Sequence, residues 1–590
     1  MALRMTNQPT RLFLVLLLFI SMITFAQDQK KPAQRDPYLQ NPVKNPTPQQ
    51  IKAGDRVKIL NADEIKKEAN KYDGNRYLTG NVKIEHKGSI LTADEVVMYE
   101  EENFVRAIGN TKLQNADGSV ITAAEMEYDG NTQKGVARKN VVLTDPKQTI
   151  KTETLYYDRL ANQAYFNTGG TISDGQNVMY TKSATYFLDT KMIDFVGKVK
   201  IDNKDYIIEG DNIKQNQNTK VADFFGPTTI TNRQNPKNYV YTERGTYKMN
   251  TKEAFLNKNS RIHYNDKILT GDDMYFNQLS GFGKATGNVK LDDPKEKRYM
   301  KGGYGEIYEK QDSSMMTKSP YAVKILEKDS IYFSAVKIIS YQKPDSLDPT
   351  KKKSFMRAFR KGRFYKSNAQ GRADSLAFNE TDGVLHMYRD PILWSGEKQV
   401  TGDKVEAYFN TETEDLDSVR VIGNAFAISK VDSLTLKDEF NQVKGKFMNA
   451  YYQDNDIKEI KVIGNAQAIT YADDFNEKTK ENERIGISLT SCGIIGALFE
   501  EKLMQIISCS IGATSDTYPM SKIEPSKRKF PDFNWNTKDR IRKWQDILVD
   551  TPNNEEVKYQ ADDELYNQAQ EAVEKERAKE EAKKPKRTRK

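Results

Sequence analysis

Three histidines, two cysteines and 83 carboxylates are the groups in this chain of 590 residues from which chemistry could be built. A metal site or a general base needs side chains that converge at a defined spacing. His86, His263 and His386 stand far apart, no H-x-x-x-H occurs, and each reads as a turn or surface residue. Cys492 and Cys509 lie in no C-x-x-C, so redox chemistry is not suggested. In an oxidising compartment the two could pair as a disulfide across neighbouring strands, or they could remain as two buried thiols. Gly281-Phe282-Gly283 is followed by Gly287, one residue too late for a dinucleotide fingerprint, and neither a P-loop nor a G-x-S-x-G is present. Acidic residues are so frequent that chance supplies carboxylate pairs, and no glycosidase-type pair stands out. The chain reads as a non-enzyme that implies no cofactor.

The apolar residues are more informative. Val82, Ile84, Leu91, Val141, Leu143, Val199, Ile201, Val289 and Leu291 recur beside similar short motifs. Stacked in register they would line one continuous apolar interior. Two readings stay open: a filled core, or a groove that takes up acyl chains, which need a long dry surface. Cys492 and Cys509 complete the candidate residues.

These residues belong to a repeat, which outranks other sequence signals. Leu78–Tyr99 (LTGNVKIEHKGSILTADEVVMY) reads as two strands around a turn, and variants of it follow to Val462. The anchors Asn81, Asn110, Asn140, Gly170, Lys198, Pro227, Asn259, Asn288 and Pro320 are 28–32 residues apart. Gly362, Pro391, Asn424 and Asn465 continue the series at intervals of 29–42 residues, for about 13 two-strand repeats. Val, Ile, Thr, Tyr and Phe alternate with polar residues, and Asp117-Gly118, Asp129-Gly130, Asp174-Gly175 and Asp382-Gly383 mark hairpin turns, so the class is all-β and antiparallel. The Gly-Asn pairs fall inside strands. They read as creases where a strand passes into a facing sheet, with Ala93-Asp94, Gly210-Asp211, Gly271-Asp272 and Gly402-Asp403 as the matching creases on return strands. The alternative is a plain surface bulge.

The rest of the chain frames the repeats. Residues 1–26, with Arg4, Arg11 and the apolar run Leu12–Ile20, read as a secretory signal peptide. Residues 27–50 are a Pro-rich linker, 51–342 the first part of the β region, 343–353 a polar insertion, 354–515 the second part, and 516–590 an irregular segment with short helices and a basic tail. Within that last segment Thr537–Val549 suits a short amphipathic helix with Ile541, Trp544, Ile547 and Leu548 on one face, and Asp562–Lys579 a solvated helix. The net charge of +8 comes from the two leader arginines and six basic residues among the last eight. The body between them is neutral, so nucleic acid is not its partner.

The pattern G-N-V-x-h, then a turn, then h-x-A-D-x-h-x-Y resembles the OstA family of LptA-like periplasmic lipopolysaccharide-transport proteins, and also the periplasmic part of LptD. Gly80-Asn81-Val82 with Ala93-Asp94, Gly109-Asn110, Gly287-Asn288-Val289, Gly423-Asn424 and Gly464-Asn465 carry the resemblance. It implies an elongated antiparallel β-jellyroll with a short C-terminal helical tail. It implies a periplasmic place, in some cases beside the outer membrane, and a bridge that holds the lipid A acyl chains of lipopolysaccharide. Partners would be other transport components, docked through the edge strands. Lys83, Lys112 and Lys290 would meet phosphates at the groove mouth. The alternatives are a structural or adhesive envelope protein without lipid, and a β-helical carbohydrate-active enzyme.

Overall fold

The computed structural model describes residues 36–39 and 57–548, apart from 414, 432–437, 455, 478–480 and 501–502. The expected signal peptide, most of the linker, the helix at 562–579 and the basic tail lie outside the described residues. The chain divides into two compact units, Met1–Pro146 with Lys151–Asn162, and Lys147–Ile150 with Gln163–Lys590. Among the described residues the helical pieces are 3-10 turns of three or four residues, and everything else ordered is strand.

The first unit is a meander. Strands β1 (Lys58–Asn61) and β2 (Glu64–Lys67) pair with the two halves of β3 (Arg76–His86). Then β4 (Ser89–Tyr99), β5 (Phe104–Gln114), β6 (Val120–Asp129) and β7 (Lys134–Thr144) follow, each antiparallel to the one before. The turns carry their own hydrogen bonds: Asp117 accepts from the Ser119 amide at 2.9 Å and hydroxyl at 2.7 Å.

The Gly-Asn pairs are creases. Register slips between Thr79 and Val82 on β3, so Gly80 and Asn81 together oppose Asp94. Both residues are left-handed (φ 74° and 46°), and Gly109-Asn110, Gly287-Asn288, Gly423-Asn424 and Gly464-Asn465 repeat this. Only glycine takes that conformation without strain. There is a second reason for it. A Cβ on Gly80, Gly109, Gly287 or Gly423 would overlap the carboxylate of Asp63, Asp94, Asp272 or Asp403; Asp94 lies in the preceding strand and the other three in the bend between its two halves. That same carboxylate accepts from the asparagine amide, at 3.0 Å for Asn81–Asp63 and 2.9 Å for both Asn110–Asp94 and Asn288–Asp272. Three anchors read from the sequence are one residue late: the left-handed pairs are Lys318-Ser319, Arg360-Lys361 and Arg389-Asp390. A further crease, Ile511-Gly512, lies between the last two strands, where no Gly-Asn marks it.

The second unit continues the pattern, often with each long strand split at the crease, as in Asn177–Thr181 and Ser183–Phe187. The segment Lys343–Lys353 is the tip of a hairpin, and pairing continues through it to Pro344↔Lys352.

Both units are covered on an outer face. In the first, Leu39 packs on Tyr77, Val97, Tyr99, Phe104 and Val136, and Asp36 pairs with Arg138 at 2.5 Å. In the second, residues 520–548 run as an extended strap. Ile523 packs on Ile469 and Ile487. Phe530, Phe533 and Trp535 pack on Phe426, Ile428 and Phe440. Ile541 and Ile547 pack on Ile392 and Trp394, and Trp544 stacks on Tyr332. The helical tail expected at Thr537–Val549 is therefore absent, with a 3-10 turn only at Trp544–Ile547. Two glutamines explain why the strap stays extended. Gln442 donates to Arg528 O (2.9 Å) and accepts from Phe530 N (2.9 Å). Gln399 donates to Asn534 O (2.6 Å) and accepts from Asn536 N (2.9 Å). Each side chain acts as a piece of neighbouring strand, so these backbone groups need no helix to be satisfied.

Candidate lipid-binding interior

Pairing register builds two apolar ladders in the second unit. On one side of the creases the chain of partners runs Met179, Ile201, Ile208, Ile230, Val240, Ile262, Leu269, Leu291. It continues through Met300, Ala322, Phe333, Phe364, Gly371, Leu393, Val400, Ala427, Val443 and Ala468 before it turns polar at Thr490. On the other side Phe166, Ala184, Phe195, Ile213 and Phe224 begin an equivalent ladder. It ends in Val421, Met448, Val462, Ile495 and Cys509. The ladders face each other: the rings of Phe333 and Phe378 are 5.4 Å apart, as are those of Tyr206 and Tyr247. In the first unit Ile84, Leu91, Leu113, Ile121 and Leu143 form the corresponding row.

Val82, Ile84, Leu91, Val141, Leu143, Val199, Ile201, Val289 and Leu291 are all buried, the most exposed being Leu91 at 7%. Those of the first unit share one interior and those of the second another. Lys83 and Lys112 point the other way and are exposed. They follow the inward Val82 and Thr111 just after the creases, where the two-residue period of a strand sends the next side chain outward. Lys290 also points outward and pairs with Asp292 at 2.6 Å. None of the three lies at the mouth. Cys492 and Cys509 are joined, with Cα atoms 5.9 Å apart, tying the strand Leu503–Ser510 to Glu481–Glu500.

The sides of the ladders away from the creases meet at a mouth, and charged side chains tie it shut. In the first unit His86 hydrogen-bonds Tyr128 at 3.0 Å, and Arg159 donates to His86 O (3.3 Å) and Lys87 O (2.6 Å). His86 is buried there and is no surface residue. In the second unit Lys220 reaches Asp174 (2.6 Å), Lys252 reaches Asp205, Lys267 reaches Asp312 (2.9 Å) and Arg298 reaches Glu380 (2.8 Å) and Asp293 (3.1 Å). Burial alone would push the Asp174 and Asp312 carboxyls up. Hydrogen bonds and charge from Lys220 and Asn177, and from Lys352 and Lys267, outweigh it and hold both below the ordinary carboxylate value. For Arg298 burial opposes the charge, and Glu380 and Asp293 more than restore it. Sequence reasoning missed these ties because single acidic and basic residues in turns carry no local signature.

Two small cavities open along the apolar rows. The cavity beside Ile84, Leu91 and Leu113 measures 60 Å³, and that beside Leu393, Ala427, Met448 and Ile457 measures 160 Å³. A larger one, of 390 Å³, sits at the mouth around Tyr239, His263 and Tyr264. Among the described residues no cluster of His, Cys, Asp and Glu could hold a metal.

The family described as OstA-like protein matches residues 54–211. This stretch is similar to OstA-like proteins. It contains the creases at Gly80-Asn81, Gly109-Asn110, Lys139-Asn140 and Gly197-Lys198, and its residues are drawn from both units. No curated protein matches the chain. Among solved structures the chain is similar to LptH, the LptA homologous periplasmic component of the conserved lipopolysaccharide transport device from Pseudomonas aeruginosa. Identity is 13% over 26% of this chain and 95% of that one, with a TM-score of 0.19.

Proposed function

We propose that the protein is a non-enzymatic carrier of lipopolysaccharide across the periplasm, holding the acyl chains between the two apolar ladders. The observation that carries this is the unbroken run of apolar partners from Met179 to Ala468. A water-exposed envelope offers no comparable surface, and each Å² of apolar area removed from water is worth roughly 25 cal/mol. The repeats and the OstA-like region supply the lipid class. Among the described residues no helix is long and apolar enough to cross a membrane. Acyl chains enter by parting the tied mouth, because the closed interior is too small for them.

Partners dock at the two ends of the strand series. They differ: β1 and β2 are short, largely exposed and partly charged. The last strands, Leu503–Ser510 and Thr514–Pro519, leave Ile506, Ile507 and Ile511 exposed. An apolar edge of that kind invites an added strand.

A second reading has one observation in its favour. A Cβ on Gly371 would collide with Phe364 and Met387, and one on Gly305 would come within 2.9 Å of Val289. That is the packing of a core that stays filled, as in a structural envelope protein. A photocrosslinking amino acid at Val199 or Val289, in protein recovered from its own periplasm, separates the two. Lipopolysaccharide adducts at these sites and none at Lys204 are expected. Absence of any lipid adduct at an interior site overturns the carrier.

A further inference from the structure

The 390 Å³ cavity at the mouth of the second unit differs in kind from the apolar spaces between the ladders. Its floor is Ile230 and Val240, which are rungs of one ladder. Its walls are aromatic rings and side-chain amides, with Lys252, Glu309 and Lys310 among them. Tyr239 stacks on His263 with centroids 4.1 Å apart, and Tyr247 donates to Gln278 at 3.2 Å. Asn238 donates to Glu309 at 2.8 Å. The hydroxyl of Tyr264 is buried in this wall and has no hydrogen-bond partner. A buried hydroxyl left without a partner costs about 1–3 kcal/mol, so a polar occupant is called for.

We propose that this cavity is a subsite for a sugar ring, the saccharide headgroup of a glycolipid whose acyl chains occupy the ladders beneath. The inference rests on the carrier reading above. The volume lies within the roughly 300–1,000 Å³ of small-molecule sites. A sugar presents an apolar face of C–H bonds to a ring such as Tyr239, and hydroxyls at its rim to amides and carboxylates such as Asn238, Gln278 and Glu309. An apolar ligand would leave the Tyr264 hydroxyl unpaired. A purely anionic ligand would meet Glu309, Lys252 in the lining is already paired with Asp205, and His263, which burial and the nearby Arg261 hold below its usual pKa, is neutral near pH 7. A neighbouring hollow that shares Tyr239 and His263 is lined by Lys237, Lys267, Lys295 and Asp266; Lys237 pairs with Asp266 and Lys267 with Asp312, so a phosphate on the same sugar would meet Lys295 there.

Isothermal titration of the full chain tests this with two probes: lipopolysaccharide stripped of its acyl chains, and the free disaccharide chitobiose. The deacylated glycan is expected to bind. Tyr264→Phe, which removes only an unpartnered hydroxyl and should fold and melt like the natural protein, is expected to weaken binding about fivefold to tenfold. Tyr239→Ala should weaken it at least as much. Binding that is indifferent to both substitutions overturns the subsite. Chitobiose binding as tightly as the deacylated glycan would assign the cavity to free glycan and overturn the glycolipid assignment. No saccharide binding, with acyl adducts still formed at Val199, would overturn the subsite and leave the carrier standing.

Discussion

At the crease, Asn110 reaches Asp94 and Asn288 reaches Asp272, each 16 residues away. At the mouth, Lys220 reaches Asp174 across 46 residues and Arg298 reaches Glu380 across 82. Within the second unit the Asn288–Asp272 contact and the two ion pairs flank the interior from opposite sides. The crease uses one repeated arrangement, an aspartate over a glycine and an asparagine, in which the backbone itself is bent. The mouth uses side-chain ion pairs that differ from rung to rung and leave the backbone unconstrained. A bend held by left-handed backbone is a fixed hinge, whereas paired side chains can separate and find water. On the carrier proposal, the mouth is therefore the side that opens.

The contrast can be tested from its largest expected effect downward. Arg298→Ala strands Glu380 and Asp293, both nearly buried, and should lower stability by about 3–5 kcal/mol in urea denaturation. Gly287→Val forces a branched side chain into a left-handed φ of 69° and onto Asp272, with an expected loss of about 3 kcal/mol by the same measurement. If instead the Gly287 variant matched the natural protein, the crease would be no hinge.

Acid should distinguish the sides without mutation. Asp174 and Asp312 have folded pKa values lowered from 3.8, so the stability they contribute is present above that value and is lost as pH falls through the lowered ones. Hydrogen exchange below about pH 4 should therefore accelerate first in the turns bearing Lys220 and Lys267. Equal acceleration at Gly287-Asn288 would remove the distinction. The smallest effect is expected for Asn288→Ala, which deletes one exposed hydrogen bond and should cost about 1 kcal/mol or less in a thermal melt.

The crease was legible because its residues are neighbours in sequence and recur at a nearly constant interval. Gly80-Asn81 and Ala93-Asp94 lie in one hairpin, and the alternation Val82, Ile84 and then Leu91 states which face turns inward. Even so, the spacing placed three anchors one residue late, because Pro320, Gly362 and Pro391 follow their bends and do not form them. The amphipathic spacing of Ile541, Trp544 and Ile547 was read correctly as a packed face, but Leu548, read onto the same face, is exposed, and the backbone is not a helix. The outer surface formed by Trp394, Tyr332 and Tyr365 accepts those side chains from extended backbone, and Gln399 and Gln442 replace helical hydrogen bonds farther along the strap.

By itself the sequence determined the antiparallel class, the repeat, the position of most bends and the inward parity of the nine lining residues. These depend on backbone conformation and a two-residue period, which act over a few residues. Only the tertiary structure decided that Lys220, Lys252, Lys267 and Arg298 tie the mouth, and that Tyr264 is left without a partner beside a cavity. Those facts depend on which turns meet across the interior, a matter of stacking over 45 to 82 residues. At that range any lysine can find any aspartate, and only the register of the intervening strands selects the pair.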